Sequence, residues 1–250
     1  MPKQRKVGFT STVKRCYDFG THDIFMLAGK CVNRGNMIKA ILFDLDGTLL
    51  NTLPDIRRHL NDALTAHGYP AIDEKQAMRC IGDGARKLVE RAFPSGTAFD
   101  EEVFADFSKR YAANDNSCSR LYDGEAEFLS RLVERGIQFG IVTNKPHAAT
   151  LGCVEKFFKS YPLAFVKGET GDFPCKPDPT LARYAALTMR VPIKECAFVG
   201  DGETDALTAI NAGMFGVSTL WGYRSKEELE RAGATRFAST FEELEKILFA

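Results

Sequence analysis

The sequence predicts an α/β fold: a Rossmann-like core with a parallel sheet and helices on both faces, broken by an inserted all-helical domain. Three observations lead there. From Met37 onward, short apolar runs of β type, closed by polar residues or glycine, alternate with longer stretches of helical period. Between Leu53 and Leu121 the alternation stops, and only helical pattern remains. The 250 residues, 44% hydrophobic and 26% charged, suffice to bury a core without help from disulfides or metal.

Composition narrows the function. The 33 basic and 33 acidic side chains cancel, so the chain lacks the basic field that holds nucleic acid. No stretch approaches the ~20 apolar residues of a membrane span. Seven scattered cysteines, without a C-x-x-C pair or zinc spacing, point to a reduced, cytoplasmic setting. Residues 1–36 carry seven basic and two acidic side chains, and their best apolar run is too short for a signal peptide. They read as a poorly ordered leader. The core domain is expected over residues 37–52 and 122–250, and the helical cap domain over residues 53–121.

The first strand, Ile38–Asp44, is an apolar run that delivers Asp44 and Asp46 before stopping at Gly47. Residues i and i+2 of a strand share a side, so both carboxylates face the crevice at the carboxyl end of the sheet. Two acids this close call for a cation or a shared proton. The insert follows, with helices predicted at Asp55–His67, Asp73–Cys80, Ala85–Phe93 and Glu101–Ala112. Its segment Ile81-Gly82-Asp83-Gly84-Ala85-Arg86 lacks the last glycine of a dinucleotide loop and suits a cap loop over a substrate. Arg86 and Lys87 either pair with a substrate carboxylate or are solvated helix charges.

The core resumes with helix Glu125–Glu134 and strand Ile137–Thr143, which ends at Thr143-Asn144-Lys145-Pro146. The free N–H groups there suit a phosphate oxygen, although an ordinary strand-to-helix turn reads the same way. Helix His147–Phe158 and strand Leu163–Lys167 come next. In Lys176-Pro177-Asp178-Pro179, Pro177 keeps Lys176 extended toward the crevice, while Asp178 caps a helix over Thr180–Met189. Strand Cys196–Gly200 ends in Asp201, and helix Thr204–Ala212 carries Asp205 in its first turn. Together with Asp44 these acids are hard oxygen ligands suited to Mg2+. Strand Phe215–Thr219 completes the pattern. The four histidines share no ligand spacing.

These four elements, in this order, resemble the signature motifs of the haloacid dehalogenase superfamily, and the helical insert resembles its C1 cap. Val142-Thr143-Asn144-Lys145, Trp221-Gly222-Tyr223 and the Gly82–Arg86 segment are most similar to the phosphoglycolate phosphatase group. The resemblance implies Asp44 as a nucleophile forming an aspartyl phosphate, and Asp46 as general acid and base. It implies Thr143, Asn144 and Lys176 around the phosphoryl group, and Mg2+ held by Asp44, Asp46 through its backbone carbonyl, Asp201 and, directly or through a water, Asp205. Gly82, Gly84 and Arg86 become candidate cap specificity residues. The fourth motif departs from the common G-D-S-x-x-D, with Gly202 in place of serine and an extra acid at Glu203.

The function expected is therefore Mg2+-dependent hydrolysis of a small-molecule phosphate ester, phosphoglycolate first, by a monomer or homodimer. The alternatives are a phosphomutase, an inorganic pyrophosphatase, a phosphonate hydrolase using a cap lysine (Lys75, Lys87 or Lys109), and a non-catalytic binding module.

Overall fold

The computed structural model describes residues 38–250 and the backbone of an antiparallel hairpin, Ile24–Leu27 paired with Lys30–Asn33. The rest of the expected leader lies outside the described residues. Residues Ile38–Ala250 form one unit.

Six parallel strands lie side by side in the order Phe237–Ala238, Phe215–Thr219, Cys196–Gly200, Ala40–Phe43, Gln138–Pro146, Phe165–Glu169. The Ala40–Phe43 strand is central and wholly buried, which is why it reads as an unbroken apolar run. Its alternation feeds two cores. Ile41 and Phe43 pack with Phe128 and Leu129 of helix Glu125–Glu134 and with Phe241 and Leu244 of helix Phe241–Phe249. Ala40 and Leu42 pack on the opposite face with Ala182 and Ala185 of helix Thr180–Thr188 and Ala209 of helix Glu203–Ala212. Helices thus cover both faces.

The insert holds four helices, Leu53–Ala66, Glu74–Cys80, Ala85–Ala92 and Glu101–Ala112, around an apolar cluster of its own that includes Leu60, Leu64, Val89, Val103 and Phe107. The first begins two residues earlier than expected, at Leu53, with Pro54 in its opening turn, where a missing N–H does no harm. Asp73 and Gln76 close a reciprocal capping box on the second, and Asp100 caps the fourth.

Several elements were not anticipated. Leu50–Asn51 and Arg120–Leu121 pair as a two-residue antiparallel ribbon where the chain enters and leaves the insert. Helix His147–Cys153 runs on as a π turn, Val154–Phe158. The tail adds helices Lys226–Arg231 and Phe241–Phe249 and the edge strand Phe237–Ala238. No helix among the described residues is long and apolar enough to cross a membrane. The five cysteines among them are free thiols.

Candidate active site

The site grows from the end of the central strand. The Asp44 amide donates to the Val199 carbonyl at 2.9 Å, and the chain then turns so tightly that the amides of Thr48, Leu49 and Leu50 all donate to the Leu45 carbonyl. Gly47 makes this possible with φ of +87°. A Cβ at Gly47 would also run into the Asp201 carboxylate, as would one at Gly222. One at Gly200 would strike Asp205. Two buried acids are thus cradled by bare backbone.

Asp44, Asp201 and Asp205 each bring a carboxylate oxygen within 4.8 Å of the others. Asp201 accepts from Thr48 Oγ1 at 2.9 Å and from the Tyr223 amide at 2.8 Å. Asp205 turns Oδ2 to the Gly202 amide at 2.9 Å, capping its own helix, and Oδ1 to Lys176 Nζ at 2.6 Å. The same Nζ lies 2.7 Å from Asp44 Oδ1, but off the direction of a hydrogen bond. Burial, reinforced by Asp205 and Asp44, pushes the Asp201 carboxyl up to about 7. Burial and Asp44 push Asp205 up to about 6 against the pull of Lys176. Three carboxylates around one ammonium leave the cluster short of positive charge, and hard oxygen donors of this kind fit a divalent cation such as Mg2+.

Lys176 is held by its backbone as much as by its partners. Its amide donates to Asn144 Oδ1 at 2.8 Å, while Asn144 Nδ2 reaches the carbonyls of Lys176 and Gly82 at 3.1 and 3.0 Å. The Asn144 side chain is therefore spent on positioning Lys176 and on holding the insert's loop. Asp178 accepts from the Thr180 amide at 2.8 Å, but the helix opens at Thr180, after Pro179. Thr143, its hydroxyl accepting from the Lys145 amide at 3.3 Å, lines the cleft with Asp44 and Asp46.

The insert closes over this cleft with apolar side chains such as Ile81, Leu88 and Phe107, and with Gly82 and Gly84. Arg86 does not reach it. Its guanidinium pairs with Glu101 and lies 4.2 Å above the Phe99 ring. Lys75, Lys87 and Lys109 do not line the cleft either.

Four residues that spacing alone did not single out as functional tie the insert to the core. Lys145 Nζ donates to Asp46 Oδ1 at 2.7 Å and to the Tyr111 hydroxyl of the insert. Burial would lower this ammonium, but Asp46 and Tyr111 more than reverse that, so it ends raised. The Tyr223 hydroxyl accepts from the amides of Thr52 and Leu53, where the first helix of the insert begins, at 3.0 and 3.1 Å. Arg224 donates from Nη1 and Nη2 to the carbonyls of Met78 and Ile81, while its Nε meets Glu203 Oε2 at 2.9 Å. The extra acid of the fourth motif thus orients an arginine, and it stands outside the carboxylate cluster. Lys145 had a signal, its place in the Thr143-Asn144-Lys145-Pro146 segment at the end of a strand. Tyr111, on a helix with no motif near it, had none.

Comparison with known proteins agrees with this geometry. Residues 41–218 match the family described as haloacid dehalogenase-like hydrolase. The phosphoglycolate phosphatase of Xanthomonas campestris pv. campestris is 37% identical over 188 residues, covering 74% of this chain and 85% of that protein. The one from Rhodospirillum rubrum is 34% identical over 217 residues, covering 83% and 90%. Among solved structures, a predicted phosphoglycolate phosphatase from Haemophilus somnus superimposes with a TM-score of 0.78 at 28% identity, covering 86% of this chain and 99% of that one.

Proposed function

The chain belongs to the haloacid dehalogenase-like hydrolases, and on that premise we propose that it is a Mg2+-dependent phosphatase of small phosphorylated metabolites, with phosphoglycolate as its substrate. The observation that carries the reading is the convergence of Asp44, Asp46 and Thr143 on one cleft, with Lys176 Nζ 2.7 Å from Asp44. The named activity of the relatives supports it.

In this reading Asp44 attacks phosphorus, as a carboxylate nucleophile can, and becomes an aspartyl phosphate. The leaving alkoxide departs with a proton from Asp46. Asp46, now a carboxylate, takes a proton from the water that attacks the acyl phosphate, which returns Asp44 and frees phosphate. Lys176 and Thr143 offset the charge on the phosphoryl oxygens, and Asn144 keeps Lys176 in place. Asp44, Asp201 and Asp205, with the Asp46 carbonyl, would hold Mg2+, which when bound adds positive charge against those same oxygens. The closed insert acts as a cap that keeps water from the phosphorylated intermediate until the alcohol has left.

The test is a panel of phosphorylated metabolites assayed with Mg2+ and with chelator and ranked by kcat/KM. Phosphoglycolate should head the ranking, and chelator should abolish turnover. Turnover that survives chelation would remove the metal from the account.

A further inference from the structure

Lys145 is costly to bury and does more than neutralise Asp46. Its side chain is 1% exposed. An ammonium has three donors, and Asp46 and Tyr111 take two, so the third has no partner among the described residues. Within the inner cleft, between the catalytic aspartates and the apolar wall of the cap, Lys145 is the one cation among the lining residues. The arginines nearby line the outer mouth. There Arg224 is engaged by Glu203 and two carbonyls, Arg91 by Asp83, and Arg79 is exposed at the rim, outside the inner cleft. Arg86 lines neither.

Thr143 and Lys145 both line this cleft, at the end of a strand whose pairing shifts register between Val142 and Pro146. A phosphate set against Asp44 and Thr143 puts the rest of a small substrate in the same cleft as Lys145. We propose that Lys145, steadied by the Tyr111 hydroxyl, is the specificity-determining residue that receives a carboxylate carried beside the substrate's phosphate. This rests on the phosphatase reading above. A neutral or apolar group at that point leaves the third donor of a buried ammonium unpaired, which discriminates strongly against it. Because Tyr111 belongs to the cap, the receptor is complete only when the cap is closed.

The experiment compares phosphoglycolate with glycolamide phosphate, which has the same skeleton and leaving oxygen but no carboxylate, on the full-length protein with Mg2+. Wild type should favour phosphoglycolate in kcat/KM by about 100-fold or more. In Lys145→Gln the ratio should collapse to within about threefold of unity, chiefly through KM, whatever the loss of absolute rate. Lys145→Arg should keep a ratio above about ten. Calorimetric binding of both compounds to Asp44→Asn protein, with and without Lys145→Gln, should show the same loss of preference without turnover.

If Lys145→Gln fails to fold, Tyr111→Phe decides: a several-fold fall in the ratio supports the assignment, and an unchanged ratio overturns it. A wild-type ratio near unity, or a ratio that Lys145→Gln leaves intact, would overturn the assignment while the phosphatase reading stands. If wild type hydrolysed neither compound nor any other phosphate ester, that reading would fall and the assignment with it.

Discussion

The carboxylate of Glu203 holds Nε of Arg224 at 2.9 Å, and the other end of that guanidinium grips two carbonyls of the cap, at Met78 and Ile81. A residue two positions from Asp201 and from Asp205 thereby ties the insert to the core. Charge-assisted hydrogen bonds of this kind contribute about 1.5–3 kcal/mol each. Arg224→Gln should lower kcat/KM by about tenfold or more, and Glu203→Gln by less, because the arginine keeps its carbonyl partners. Steady-state kinetics on phosphoglycolate check the order; a larger effect from Glu203→Gln would place that acid in the chemistry.

Tyr223 spans the same junction differently, with its amide on Asp201 and its hydroxyl on the amides of Thr52 and Leu53. Tyr223→Phe strands two buried amides and should cost about 2 kcal/mol in urea unfolding. Mg2+ affinity should hold, since the bond to Asp201 comes from the backbone. A fall in affinity without loss of stability would reverse that assignment.

Gly47 is required twice, by its φ of +87° and by the approach of Asp201. Gly47→Ala should displace the Asp201 carboxylate and weaken Mg2+ binding by about tenfold or more, read by calorimetric titration. Wild-type affinity in the variant would mean that Asp201 does not ligate.

Glu125 is buried at the start of its helix, with both carboxylate oxygens unpartnered, and burial pushes it up to about 8. In the unfolded chain it titrates near ~4.3. Between those values the folded protein keeps a proton that the unfolded chain has released, so stability falls as pH rises through that window. Glu125→Gln removes this slope. Its stability should match wild type near pH 5 and exceed it by on the order of 3 kcal/mol at pH 8. Equal urea midpoints at both pH values would show that the carboxylate finds a partner.

Much of this was legible in the sequence, for physical reasons. Strand Cys196–Gly200 reads correctly because burial on two faces leaves a short unbroken apolar run closed by glycine, and helix Glu101–Ala112 because burial on one face leaves a helical period. The ribbon Leu50–Asn51 with Arg120–Leu121 is too short for any period to show. The tail helices carried signals that went unread: Ser225 with Glu228 forms a capping box, and Thr240 caps the last helix. In the site, Asp44 and Asp201 stand out because strand ends deliver them, Asp205 because it sits in the first turn of the helix that follows, and Lys176 because it leads a Pro-Asp-Pro turn. The direction of Arg86 depends on Phe99 and Glu101, which the fold brings to it from beyond the next turn, and no local pattern encodes that.

The central claim is that Asp44 carries the phosphoryl group and Asp46 governs its arrival and release. Intact-mass spectrometry of Asp46→Asn quenched during turnover of p-nitrophenyl phosphate tests it most directly. That ester needs little acid help to leave, while hydrolysis of the intermediate loses a base worth roughly 10²–10⁴-fold. The account predicts one added phosphoryl group, mapped to Asp44, with a burst of about one equivalent of p-nitrophenolate and no turnover in Asp44→Asn. An unmodified mass, together with near-normal turnover in Asp44→Asn, would contradict it and mean that water attacks phosphorus directly.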